Sequence, residues 1–344
     1  MPFAPRSLIH RTLLLAAGVA ATFLAPAAQA WDGAGHRMIT RVAVRGLSSD
    51  MPAWLKDDTT VLASADQAQV PDRWRGVKVA QLTHLNNPDH YIDIDDLEPL
   101  GMTLRTMPRL RHEYVKQITL ARAKPDFAGP PIDAMKDFAK TDEYPGFLPI
   151  AAMETYGKLV GAFKSVRTLE MLNKDGSRDL QIEAAKWNAR IHLGQLSHFV
   201  GDAAQPLHTT RHHHGWVGDN PNGYTTDRGI HAYIDGGVLK LHNITDTDLQ
   251  AKFEPDRQLD RDDLFGELLT HIERSFAQME PLYKMQKAGE LEQPAGKDFI
   301  TPRLADAASE LSAFIESAWL EAAPTPEEAQ NMVKFEGEKG PSAP

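Results

Sequence analysis

Apolar residues recur at helical spacing along most of the chain. Between residues 35 and 47, Met38, Ile39, Val42 and Val44 fall among basic positions. That three-to-four spacing is expected of a helix that buries one side. A longer stripe of Leu148, Ala152, Tyr156, Leu159, Phe163 and Leu169 predicts a helix over 148–173. Ser177 reads as the N-cap of a helix running to about residue 203, with Leu180, Ala184, Trp187, Ile191 and Leu193 as its buried positions. The pattern returns over 262–280 with Leu264, Leu268, Ile272, Phe276 and Met279. Thr301-Pro302 reads as a cap followed by proline at the first helical position, ahead of Leu304, Leu311, Ile315 and Trp319. Strand signals are sparse, and "HYIDID" at 90–95 is the clearest. Two stretches, 124–147 and 209–229, lack periodicity, and no internal repeat is visible. The expectation is a mostly α protein, a single multi-helix domain with long loops and little strand.

The two ends depart from this pattern. Arg6 and Arg11 precede a long apolar run that closes in Ala28-Gln29-Ala30, the layout of a secretory signal peptide over residues 1–30. The run is short for a membrane anchor and Pro26 interrupts its end. Cleavage after Ala30 would make Trp31 the N-terminus, with a free α-amino group, and would place the protein in the periplasm or outside the cell. The folded domain is then expected over 31–322. Residues 323–344, rich in Pro, Glu and Gly, are expected to be a loosely ordered tail.

Composition sharpens the chemistry. The chain has no cysteine, fourteen histidines and a formal net charge of −10. An exported protein without disulfides relies on its core, on bound metal, or on both. The acidic balance argues against an extended basic groove that tracks nucleic acid. It leaves room for a local site where metal ions supply the positive charge.

The densest candidate is "HFVGDAAQPLH", residues 198–208. His198 and Asp202 are four apart and share one helical face. Pro206 ends that helix, and His208 follows at the turn. His231 and Asp235 repeat the spacing in "GIHAYID". An imidazole and a carboxylate on one face form part of a zinc site, although a lone pair of this kind is more often a surface hydrogen bond. Two pairs joined by His208 bring the metal reading level with that one.

These motifs resemble the secreted zinc-dependent single-strand nucleases of fungi and plants, which share a superfamily with the bacterial zinc phospholipases C. In that family the mature chain starts with Trp and carries His at the sixth position, as Trp31-Asp-Gly-Ala-Gly-His36 does. "RLADAASELSAFIESAW" is similar to the family's last helix, so the likeness runs from Trp31 to about Trp319. The resemblance implies three zinc ions. Asp66, His90, His198 and Asp202 would hold one, with His84 as the rival of His90. The Trp31 amine and carbonyl, His36 and Asp202 would hold a second, so that Asp202 bridges. His208, His231 and Asp235 would hold the third. It also implies hydrolysis of single-stranded DNA and RNA to 5′-phosphorylated products, and leaves 3′-nucleotidase activity open. Catalytic roles fall to Asp202 and Asp66. Tyr91 would stack on a base, unless it is a core tyrosine.

Departures from the family pattern bear on the substrate. A basic residue commonly stands three positions after the family's first aspartate. Counted from Asp66 that position is Gln69, so Arg73 or Arg75 would have to take over the substrate contact. "NPNGYTTDRGIHAYID" replaces the usual Gly-Gly-Asn and Trp-Asp surroundings of the last ligands. The 209–229 loop, with Arg211, Trp216, Tyr224 and Arg228, is long and is expected to overhang the cluster. His212, His213 and His214 within it read as a solvated run. His112, His192, His242 and His271 read as ordinary surface or packed residues. A phospholipase C acting on lipid headgroups is the alternative function. A metal-binding helical protein without turnover is the third reading.

Overall fold

The computed structural model describes residues 31–128 and 144–335. Residues 1–30, expected to be a signal peptide, part of the 124–147 stretch and the last nine residues fall outside them. Fourteen α-helical segments follow one another within the described residues: α1 Gly33–Arg45, α2 Asp58–Gln67, α3 Val70–Arg75, α4 Ala80–Asn86, α5 Arg111–Arg122, α6 Leu148–Leu172, α7 Asp179–Ala203, α8 Ile230–Ala232, α9 Val238–Leu241, α10 Asp246–Gln250, α11 Leu264–Phe276, α12 Met279–Ala288, α13 Pro294–Glu321 and α14 Pro326–Phe335. No strand occurs among the described residues. The mostly α, single multi-helix architecture is thus the observed one.

Two long helices, α6 and α7, are joined by the short 173–178 connection and pack along each other, with α13 against both. Helix α1 lies between α13, α2 and α7. The expected stripe of α6 is buried from Leu148 to Leu169. In α7 the period is as expected but the phase is not. Ile182, Ala189, Leu193, Leu196 and Val200 face the core, while Leu180 is 87% and Trp187 50% exposed. In the first turns of α7, Ile182 faces inward while Leu180 and Trp187 turn outward, and Trp187 lies beneath the Arg190 guanidinium. The N-cap is Arg178 rather than Ser177.

Three other expectations change. The 262–280 pattern is two helices, broken at Ala277-Gln278. Thr301-Pro302 does not start a helix: α13 begins at Pro294 and runs through Pro302, and the buried Thr301 hydroxyl caps nothing. Part of the tail is ordered, because α14 buries Ala329 and Val333 and pairs Glu328 with Lys164 at 2.6 Å.

The "HYIDID" segment is not a strand. Asn87–His90 forms a 3₁₀ turn, Tyr91 is extended, and Ile94–Asp96 turns again. Its backbone pairs with the approach to α6 instead of another strand: Phe147 N–H donates to the Pro88 carbonyl, Leu148 N–H to that of Tyr91, and Asp93 N–H to that of Pro145. Gly146 makes this pairing possible. Its φ is +106°, and a Cβ there would lie 2.0 Å from the Tyr91 carbonyl oxygen.

A second glycine sets the crossing of α2 and α7. A Cβ on Gly194 would sit 2.4 Å from the Ser64 carbonyl oxygen and 2.9 Å from the Ala68 nitrogen, backbone atoms that cannot swing aside. Gly194→Ala is expected to destabilise the fold by about 1–3 kcal/mol through overpacking. The denaturation midpoint checks this, and an unchanged midpoint would show that α2 can shift freely off α7.

Candidate metal centre

Helix α7 is exposed at its start and wholly buried at its end, where it presents His198 and Asp202 one turn apart. Past the helix end the Gln205 side chain accepts the Leu207 N–H, turning the chain into the 3₁₀ segment Pro206–Thr209 that carries His208. His36 comes from the first turn of α1. The Asp32 carboxylate caps that helix by accepting from the Ala34 and Gly35 amides. Asp32 N–H donates to the Asp235 carbonyl at 2.9 Å, tying α1 to the last part of the site. There His231 sits on α8 and Asp235 in a π-helical turn, Tyr233–Gly237. Such turns are rare and recur at functional sites.

Three buried donor groups result: His36, His198 and Asp202; Asp72, His90 and His198; and His208, His231 and Asp235. Asp202 divides its two oxygens. Oδ1 lies 3.4 Å from His36 Nε2, whereas Oδ2 lies 3.1 Å from His90 Nδ1 and 3.2 Å from His198 Nε2. In the third group the Nε2 atoms of His208 and His231 are 2.9 Å apart, with Asp235 Oδ2 3.5 Å from His231 Nε2.

Outer contacts aim these rings. His198 Nδ1 donates to the Ala68 carbonyl at 2.7 Å and His208 Nδ1 to the His90 carbonyl at 2.5 Å. A proton held on Nδ1 leaves the Nε2 lone pair facing inward, the tautomer a metal ligand needs. The Gln205 amide donates to Asp235 Oδ1 at 2.7 Å, leaving Oδ2 for the interior.

The electrostatics point the same way. Burial holds the imidazoles of His36, His90 and His231 well below the ordinary histidine range, and pulls His208 down to about 3. They are neutral, with lone pairs available. Burial pushes the Asp202 and Asp235 carboxyls well above the carboxylate range, and Asp72 up to about 6. Both ring nitrogens of His36, Asp202 Oδ1, Asp235 Oδ2 and His231 Nδ1 are buried without a hydrogen-bond partner. Buried polar atoms are normally paired. Lone pairs of imidazole and carboxylate left together in this way fit a divalent cation. The clusters could hold metal ions.

One expected ligand is displaced. Asp66 lies at the exposed end of α2, and its carboxylate pairs with the Arg73 guanidinium at 2.8 Å. That hydrogen bond holds Asp66 below the usual carboxylate range. It stands in none of the donor groups. Asp72 on α3 takes its place, 3.7 Å from His90 Nδ1. Arg73 is spent on Asp66, and Arg75 lies 3.7 Å from Asp72. Three positions after Asp72 in "VPDRWR" stands Arg75, a carboxylate–arginine spacing visible in the sequence.

The other site residues fall as follows. His90 is fully buried in the centre, whereas His84 is exposed on α4. Tyr91 is partly exposed and stacks on His213 with centroids 6.2 Å apart. Trp31 is buried, its indole N–H donating to the Gly201 carbonyl at 2.9 Å, one residue from Asp202. The indole thus has a structural role of its own. The histidine run is not a solvated one. His212 stacks on Trp216 at 4.0 Å, the Tyr283 hydroxyl donates to the His212 carbonyl, and His214 packs 5.0 Å from His231. Trp216, Tyr224 and Tyr283 clamp the loop.

No family model matches this chain. No curated protein matches it significantly either. The case for the centre therefore rests on its residues.

A fourth grouping, His271, Asp306 and Glu310, is of a different kind. Arg257 Nη1 lies 2.7 Å from Asp306 and 2.9 Å from Glu310, and Arg274 Nη2 is 2.9 Å from Glu310. Guanidinium groups already supply the positive charge there, so it is an ion-pair network.

Proposed function

We propose that this chain is an exported, zinc-dependent phosphodiester hydrolase that cleaves single-stranded DNA and RNA to 5′-phosphorylated products. The observation that carries the reading is the set of three buried histidine–carboxylate groups, two of which share His198, with Asp202 turning one oxygen to His36 and the other to His90. Nitrogen and oxygen donors without thiolate suit zinc, and three groups give three ions. Trp31-to-His36 and "HFVGDAAQPLH", the segments that resemble the secreted nucleases, supply His36, His198, Asp202 and His208 to these groups.

Bound there, zinc would lower the pKa of water from about 16 towards 7 and offset charge on a phosphodiester. The protein's own groups do the rest. The Ala68 and His90 carbonyls fix the donor tautomers of His198 and His208. Asp202 keeps its two oxygens on separate donor groups. Arg75, beside Asp72, adds positive charge next to the centre. The Tyr91 ring, partly exposed beside His90, offers a face for an unpaired base, an interaction worth about 1–3 kcal/mol and tolerant of sequence. Bases inside a duplex cannot reach it without unstacking.

The test is incubation of the zinc-loaded chain from Trp31 with single-stranded DNA, RNA and phosphatidylcholine vesicles, each with and without chelator. Chelator-sensitive cleavage of both nucleic acids and not of lipid is expected. Cleavage of lipid alone would replace the nuclease by a phospholipase C. Absence of cleavage on all three would leave a metal-binding protein without turnover.

A further inference from the structure

A cavity of about 620 Å³ lies between α11, α13 and the 252–257 segment, with Ala204 at the end of α7 on its wall. Four cationic side chains line it, Lys252, Arg257, Arg274 and Arg303, against two carboxylates, Glu254 and Asp306. The cations are of two kinds. Arg257 pairs with Glu254, Asp306 and Glu310, and Arg274 with Asp306 and Glu310. These two guanidiniums engage all three carboxylates, offsetting two of their three negative charges, with His271 held between Asp306 and the Val200 carbonyl.

Lys252 and Arg303 have no carboxylate within ion-pair distance among the described residues. Arg303 spends one N–H on the Phe299 carbonyl at 2.5 Å and lies over the Phe299 ring at 4.5 Å. Its other donors are left for the cavity. Burial draws its guanidinium below the usual arginine range, and Asp306 offsets this only in part. Ser275 adds an independent sign. It lines the cavity, is 4% exposed, and its hydroxyl has no hydrogen-bond partner. Gln278 brings an amide to the same wall.

A lysine, an arginine, a serine with a buried unpartnered hydroxyl and a glutamine line one space where the carboxylates are already engaged, a set of donors in search of an acceptor. Charge-assisted donors of this kind favour an oxyanion, arginine with lysine suiting phosphate. The volume lies in the range that houses small organic ligands. We propose that this cavity binds a small phosphate-bearing molecule through Lys252, Arg303 and Ser275, separately from the histidine–carboxylate centre. Lys252 and Arg303 would take the phosphate oxygens, Ser275 would donate to one of them, and the remaining space would receive the organic part of an ester.

The proposal is independent of the hydrolase reading, and its test separates the two. The chain from Trp31 is titrated calorimetrically with inorganic phosphate and, in a second arm, with a nucleoside monophosphate, each in the presence of chelator. Binding that persists in chelator is expected, and Lys252→Met/Arg303→Met is expected to weaken it at least tenfold. Tighter binding of the nucleotide assigns the source to an organic ester, and equal binding assigns it to the free anion. Loss of all binding on chelation, an unchanged affinity in the double variant, or equal competition by acetate overturns the proposal. If the double variant fails to fold, Ser275→Ala replaces it. A severalfold weakening is expected there, and an unchanged affinity overturns the proposal equally.

Discussion

Asp202→Asn is expected to release bound metal and to lower phosphodiester hydrolysis by about 100-fold or more, beyond what loss of an outer contact costs. The carboxylate faces His36 with one oxygen and His90 and His198 with the other. Asparagine keeps the shape but removes the charge and one acceptor oxygen, so one side loses its oxygen donor and the other keeps only a neutral one. A folding defect would reduce metal content too, and the stability of the chelated proteins separates these causes. Burial pushes the Asp202 carboxyl far up, so without a cation it strains the fold. A neutral amide relieves that strain. The chelated variant should therefore melt no lower than the chelated wild type. Elemental analysis, turnover and melting curves check the three parts. Full metal content with normal turnover would remove Asp202 from its shared role.

Asp72→Asn and Asp66→Asn are expected to part company. The first removes a buried carboxylate from the group with His90 and His198. It should cost one equivalent of metal and about 10–100-fold in hydrolysis. The second breaks an exposed pair with Arg73, side chains that are 55% and 53% accessible. Such pairs contribute about 0–1 kcal/mol, so metal content and turnover should hold. Metal analysis of the two variants decides it. Metal loss in Asp66→Asn with retention in Asp72→Asn would reinstate Asp66.

The contrast between these two aspartates shows where the sequence was legible. Spacing along one element carries reliable information, because a helix fixes the distance between i and i+4. His198 with Asp202 and His231 with Asp235 are placed together as that spacing requires. The choice between Asp66 and Asp72 depends on how α3 turns away from α2, and no local spacing records that. Trp187 and Leu180 differ from expectation for a related reason. Periodicity shows that a helix has an apolar side, but the packing partners decide which face is covered. Thr301-Pro302 carries a valid local cap signal, yet packing of α13 extends the helix eight residues upstream of Pro302, to Pro294. "HYIDID" has strand composition, but Gly146 brings an irregular segment alongside it. The histidine run was hardest to read, since its burial comes from Trp216, Tyr224 and Tyr283, aromatic residues that meet only in the folded chain.

The donor groups draw on positions from His36 to Asp235, and this separation bears on the order of events during folding. Loops of such length must close before the groups meet, and their entropy is spent first. The imidazoles and carboxylates are therefore expected to converge late, together with the packing of α1 on α7. Interactions that form after the rate-limiting barrier leave the folding rate nearly untouched and slow unfolding instead. A cation held at this centre would act as a latch on the finished molecule, lengthening its lifetime without hastening its assembly.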